Sequence, residues 1–153
     1  MSVESVPTPT IRQKSPPPGY HTVTPYLVVE GGSKLIEFLK TTFGAELKDA
    51  FKDADGRIQH AEATIGDSVI MLTDASTVGF SPVPSQLYVY VGDVDEVFER
   101  ALEARGSPIR EPEDKVYGDR TASFKDPTGN VWWIASRIRE VSHEEIEQQM
   151  GKS

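Results

Sequence analysis

Few residues in this chain could do chemistry. It has three histidines and no cysteine, which excludes thiolate nucleophiles, thiolate metal sites and disulfides. His60 and Glu62 lie two apart in a stretch, Arg57 to Ile65, that reads as a strand. Strand alternation puts both on one face. A carboxylate placed there can orient the imidazole as a general base, or the two could join His21 in part of a divalent-metal site. Two ligands from one strand are too few for a metal, and no third is evident. A plain hydrogen-bonded His–Glu pair is the simpler alternative. Tyr117 and Arg120 flank a Gly-Asp corner. Arg120 could clamp an anionic group through its planar fork, or pair with Asp119 or Glu111.

These residues need elements to position them. The best punctuated stretch runs from Tyr117 to Ile134. Pro127 presets the first corner of a turn and Gly129 tolerates positive φ. Both tryptophans follow, in Val131-Trp132-Trp133-Ile134. The pattern predicts a hairpin. A Pro-rich tail covers residues 1–20, where little apolar surface can be buried. A first module spans 21–76: a strand over Val23 to Val29, a helix with Leu35, Ile36, Leu39 and Phe43 on one face, then three strands. Ser33 is its candidate N-cap and Gly44 its C-cap. Residues 77–85, with Gly79, Pro82 and Pro84, form a linker. The second module, 86–137, repeats the pattern: a strand over Leu87 to Val91, a helix capped by Asp93 with Glu96 three residues on, and three strands. Residues 138–153 form a tail with a short helix from His143 to Met150.

The duplication is visible in residue numbers. Tyr26 and Tyr88 differ by 62, as do Gly44 and Gly106, and Met71 and Trp133. One shift superposes the first strand, the helix end and the last strand of both halves.

Composition narrows the function. The formal net charge is −8 and the pI about 4.9, which argues against nucleic-acid binding. No apolar run approaches the roughly 18–20 residues of a membrane span. Together with the absence of cysteine, these features lead us to expect a cytoplasmic protein with no nucleic-acid or membrane partner.

Two βαβββ modules in tandem, with Asp126-Pro127-Thr128-Gly129-Asn130 before the last strand, resemble the vicinal oxygen chelate superfamily of glyoxalases, bleomycin-resistance proteins and extradiol dioxygenases. Pro25-Tyr26-Leu27, Asp55 to Glu62 and Tyr117-Gly118-Asp119-Arg120 are similar to its PhnB-like branch. The resemblance implies an α+β fold whose two curved sheets form an open cup, a ligand inside it, and a homodimer. It also implies metal-ligand positions on the first and last strand of each module, which here are Thr24, Met71, Gln86 and Trp133. Trp has no acceptor, Met is a soft thioether, and Thr and Gln are weak neutral oxygens. The expectation is therefore no metal and no cofactor. Instead a small organic ligand would stack on Tyr26, Tyr88 and Trp133, beside Thr24 and Met71, with Gln86 as polar contact and Arg120 as clamp. One alternative is that side chains fill the cup. Another is a divalent-metal lyase, isomerase or dioxygenase built on His60 and Glu62. A third is an interaction protein working through its Pro-rich tail.

Overall fold

The computed structural model describes residues 15–151. Most of the Pro-rich segment read as a disordered tail, residues 1–14, lies outside the described residues. The elements follow in the order β1 (Tyr26–Val29), α1 (Gly32–Phe43), β2 (Glu46–Lys52), β3 (Ile58–Ile65), β4 (Ser68–Asp74), α2 (Ala75–Val78), β5 (Gln86–Tyr90), α3 (Val94–Glu103), β6 (Ser107–Asp114), β7 (Asp119–Lys125), β8 (Val131–Arg137) and α4 (His143–Met150). They make two four-stranded sheets, ordered β1-β4-β3-β2 and β5-β8-β7-β6. In each, the first strand lies parallel to the last and the other pairings are antiparallel. A parallel pairing needs a long crossover, and here a helix and a hairpin supply it twice. The fold is α+β, two βαβββ modules in tandem, as the patterning predicts.

Alternation decides which face is covered. Leu27, Val29, Ala61, Ala63, Ile70 and Leu72 of the first sheet are buried, as are Ala122, Phe124, Trp132 and Ile134 of the second. All join one continuous core with the apolar stripes of α1 and α3. Phe38 and Phe43 belong to the first helix but pack on the second sheet. Their ring centroids lie 5.8 Å from Phe124 and 5.3 Å from Trp132 respectively. Burying one such ring contributes about 2–3 kcal/mol, so the core fastens the modules to each other. Among the described residues, the opposite face of each sheet carries no long helix and is its open face.

A buried carboxylate braces each module from within, Asp74 in the first and Asp126 in the second. Asp74 accepts from the backbone N–H of Gly31 at 2.8 Å, Gly32 at 2.7 Å and Ile58 at 2.7 Å. The start of α1 is thus capped from the end of β4. Ser33, the expected cap, lies inside the helix, and Gly31 takes the N-cap position with φ 98°. Gly32 is required there for space, since an added Cβ would come within 2.9 Å of Ile58. Asp126 takes hydrogen bonds from the Thr128 N–H and hydroxyl, the Asn130 amide and the buried Trp132 indole N–H, at 2.6 to 3.1 Å. The Asp-Pro-Thr-Gly-Asn turn is therefore a structural staple. Gly129 has φ 102°, as the turn chemistry requires. At α3, Asp93 accepts from the Glu96 N–H, as the capping pair predicts.

The ends of elements differ more. β1 begins only at Tyr26, because Pro25 lacks an N–H for the ladder. The short helix α2 straddles the expected end of the first module at 76 and the start of the linker, and Val83 of that linker bridges to Val28 on the outer edge of β1.

Candidate functional site

On the open faces, strand pairing aligns side chains in rows. In the first sheet Tyr26 pairs with Met71, Met71 with Glu62, and Glu62 with Asp49. In the second, Tyr88 pairs with Trp133, Trp133 with Ser123, and Ser123 with Arg110. The two rows occupy equivalent places, and the shift of 62 carries Tyr26 onto Tyr88 and Met71 onto Trp133.

The second row is an aromatic platform. Trp133 donates its indole N–H to the Gln86 Oε1 at 2.9 Å. Tyr88 donates its hydroxyl to Asp119 at 3.1 Å, and its ring meets Tyr90 edge-on at 5.5 Å. Beneath these side chains Ala135, Thr121 and Ser123 are fully or almost fully buried. Tyr88 and Tyr90 nonetheless remain 45% and 67% exposed. Burial pushes the Tyr88 phenol up, and hydrogen bonding with Tyr117 and Asp119 pushes it further. Asp119 also accepts from Arg137 at 2.7 Å, which raises the Arg137 guanidinium still higher.

In the first sheet, His60 Nε2 lies 2.9 Å from Glu62 Oε2. Tyr20 donates to the other carboxylate oxygen, and Lys48 stands over the Tyr20 ring, 4.2 Å from its centroid. The Tyr20 hydrogen bond, then that of His60, holds the Glu62 carboxyl below the usual range. Tyr26 lies beside the imidazole, with ring centroids 6.4 Å apart. His60 and Glu62 are thus hydrogen-bonded to each other on one strand face, the contact common to the base-and-orienter reading and to the plain pair. His21 is not part of it. Its imidazole sits 2.9 Å from the Asp67 carbonyl, and no cluster of three or more His, Asp or Glu suited to a metal occurs among the described residues.

Arg120 is placed on the other side of its sheet. Its Nε and Nη2 meet the two oxygens of Asp95 on α3, at 2.8 and 2.9 Å, and its Nη1 meets Asp114 at 2.9 Å. These contacts hold the Asp95 carboxyl low and the guanidinium high. Strand parity explains the placement, since Arg120 alternates with Asp119 and shares the side of buried Ala122 and Phe124. It fastens α3 to the sheet and leaves the platform without that clamp. Among the described residues, the Thr24 hydroxyl makes one long contact, 3.5 Å, to the His21 carbonyl.

The four positions at which the resemblance puts metal ligands do not fit a divalent ion. Trp133 offers only an N–H, already given to Gln86, and neither Met71 nor Thr24 adds a charged or imidazole donor.

A groove of about 920 Å³ runs between the edge strands β1 and β5. Tyr26, Gln86 and Tyr88 line it together with Leu87, Val89 and Phe43, whereas Met71, Trp133 and Arg120 do not. Both faces of β5 are partly exposed.

Sequence reasoning missed Tyr20, read as tail, and the pairing of Asp119 with Arg137. Nothing local marks Tyr20, whose partner is 42 residues away. The Tyr-Gly-Asp-Arg corner flagged the neighbourhood of Asp119 but not which of its residues faces the platform.

Comparison with known proteins agrees with this architecture. An uncharacterised protein of Mycobacterium tuberculosis strain H37Rv is 31% identical over 141 residues, covering 84% of this chain and 82% of its own length. A counterpart in Mycobacterium bovis matches equally, over 91% of its length. Among solved structures, TioX from Micromonospora sp. ML1 superposes with a TM-score of 0.65 at 24% identity, over 76% of this chain and 98% of that one. The Bacillus cereus PhnB protein, described as a putative 3-demethylubiquinone-9 3-methyltransferase, does so with 0.62 at 19% identity, over 76% and 99%. The profile of the glyoxalase/bleomycin resistance protein/dioxygenase superfamily matches residues 20–134. The chain belongs to that superfamily.

Proposed function

We propose that the protein binds a small, flat organic molecule without a metal, on the open faces of its sheets. The observation that carries this reading is the Trp133–Gln86 hydrogen bond. Two positions where the superfamily resemblance calls for metal ligands instead form a half-exposed stacking surface with a fixed polar edge, flanked by Tyr88. Tyr26 offers a similar ring on the first sheet, beside Met71 and close to Thr24. Such surfaces suit amphipathic aromatics.

The protein acts in this reading as a cytoplasmic homodimer. Support comes from β5, an edge strand with both faces half open, and from the apolar wall of the groove beside it, Leu87 and Val89. A second copy seated there would bring further open faces to the ligand. Sedimentation is expected to give twice the 16.9 kDa chain mass, and Val89→Glu to give the single chain.

The direct test is elemental analysis of tag-free protein, then melting curves with Mn, Fe(II), Co, Ni and Zn. No bound ion and no saturable shift are expected. One ion per chain would overturn the metal-free reading.

The His60–Glu62–Tyr20 array favours a second reading, acid–base catalysis with a divalent metal on the first sheet. It requires Glu62→Gln to abolish metal uptake. Uptake unchanged by that substitution eliminates it.

A further inference from the structure

The two rows differ in charge at matching places. Where the first sheet has Glu62 and Asp49, the second has Ser123 and Arg110. Arg110 is exposed and, among the described residues, meets no carboxylate, unlike Arg57, Arg100, Arg120, Arg137 and Arg139, all of which are ion-paired. Its pairing with Ser123 puts both on the open face. Lys125, two residues along β7 from Ser123, shares that face and also lacks an ionic partner among the described residues. The β6–β7 ladder is irregular on both sides of Arg110. Such bulges re-aim side chains and recur beside sites. The Ser123 Oγ is fully buried and has no hydrogen-bond partner. A buried hydroxyl left without a partner is unusual in a folded protein.

We propose that this row is an anion subsite for an aromatic oxyanion. The ring lies on Tyr88 and Trp133. A carboxylate or sulfonate projecting from it meets the Arg110 guanidinium, with Lys125 alongside and the Ser123 hydroxyl as a neutral donor. This rests on the binding function proposed above and names the class of molecule bound. Arg110 takes the part that the sequence suggested for Arg120, which is already committed to Asp95 and Asp114. The chain as a whole is acidic, at −8. Its overall field therefore repels anions, and retention of one requires a local cationic site.

The test uses three probes that share one ring system: 2-naphthoate, 2-naphthalenemethanol and 2-naphthylmethylammonium. Binding to the full chain is read from the Trp133 indole N–H resonance, assigned by its loss in Trp133→Phe. Naphthoate is expected to bind roughly fivefold more tightly than the alcohol, the scale of one exposed charge pair, and the ammonium more weakly than either. Arg110→Gln should abolish the naphthoate advantage while leaving the alcohol unchanged. Arg110→Glu should transfer the preference to the ammonium. If the alcohol binds but charge makes no difference, or if Arg110→Gln leaves naphthoate unaffected, the subsite is overturned and the binding platform stands. If none of the three moves the Trp133 signal, both are overturned.

Discussion

The two modules share a topology and a register, yet each is stapled at a different end. In the first, Asp74 at the end of β4 reaches back to the N–H groups that open α1 and β3. The position 62 residues on is Ser136, which only donates to the Val91 carbonyl at 2.6 Å. In the second, the carboxylate that locks the backbone is the buried Asp126, in the turn before β8. The corresponding turn of the first module is the short Gly66-Asp67, with no buried acid. Duplication preserved the apolar alternation that builds the sheets. It did not preserve the polar groups that lock them. Backbone pairing is repeated by any sequence of the right period, whereas a staple depends on one residue and its particular donors.

The comparison is tested most severely by Asp126→Ala. This leaves a buried indole, a buried amide and a partly buried hydroxyl without their acceptor, and should cost about 4 kcal/mol in chemical denaturation. Asp74→Ala orphans backbone N–H groups only, and a loss of about 3 kcal/mol is expected. If the two losses come in the reverse order, the turn is not the dominant staple. Arg120→Gln releases α3 from β7 and should lower the melting temperature by less than either. It should leave the affinity of any platform ligand unchanged; weakened binding would return Arg120 to the site.

The smallest effect is in pH. Glu62 has a folded pKa below its ordinary 4.5. Its contribution to stability is therefore complete above that value and is lost as the pH falls through the lower, folded one. Denaturation followed from pH 6 to pH 3 should show this acid limb, and Glu62→Gln should flatten it. Ser123, at the equivalent place in the second row, has no charge to lose.

What could be read in the sequence was whatever depends on period and local spacing. The shift of 62 matched Tyr26 to Tyr88 and Met71 to Trp133, and strand pairing sets each pair at equivalent places in its sheet. The Asp93–Glu96 spacing gave a working cap, and Pro127 with Gly129 gave the turn. What could not be read depends on distant partners. Ser33 looked like a cap because nothing nearby reveals that Asp74 caps α1 from 42 residues away. Arg120 looked like a clamp because a corner residue can face either side until the strand's parity is known. His60 and Glu62 were correctly paired by spacing, but the Tyr20 hydroxyl that completes the array lies across the sheet.

Phe38 and Phe43, lent by the first helix to the second sheet, carry a consequence for how the chain melts. A duplicated sequence suggests two bodies that can be cut apart at the linker. Here neither half owns its interior. Separating the halves at Val83 would leave the second sheet without two of its aromatic rings and α1 without the surface those rings bury. The repeats share one core and are expected to unfold in one cooperative transition that ignores the boundary so plain in the residue numbers.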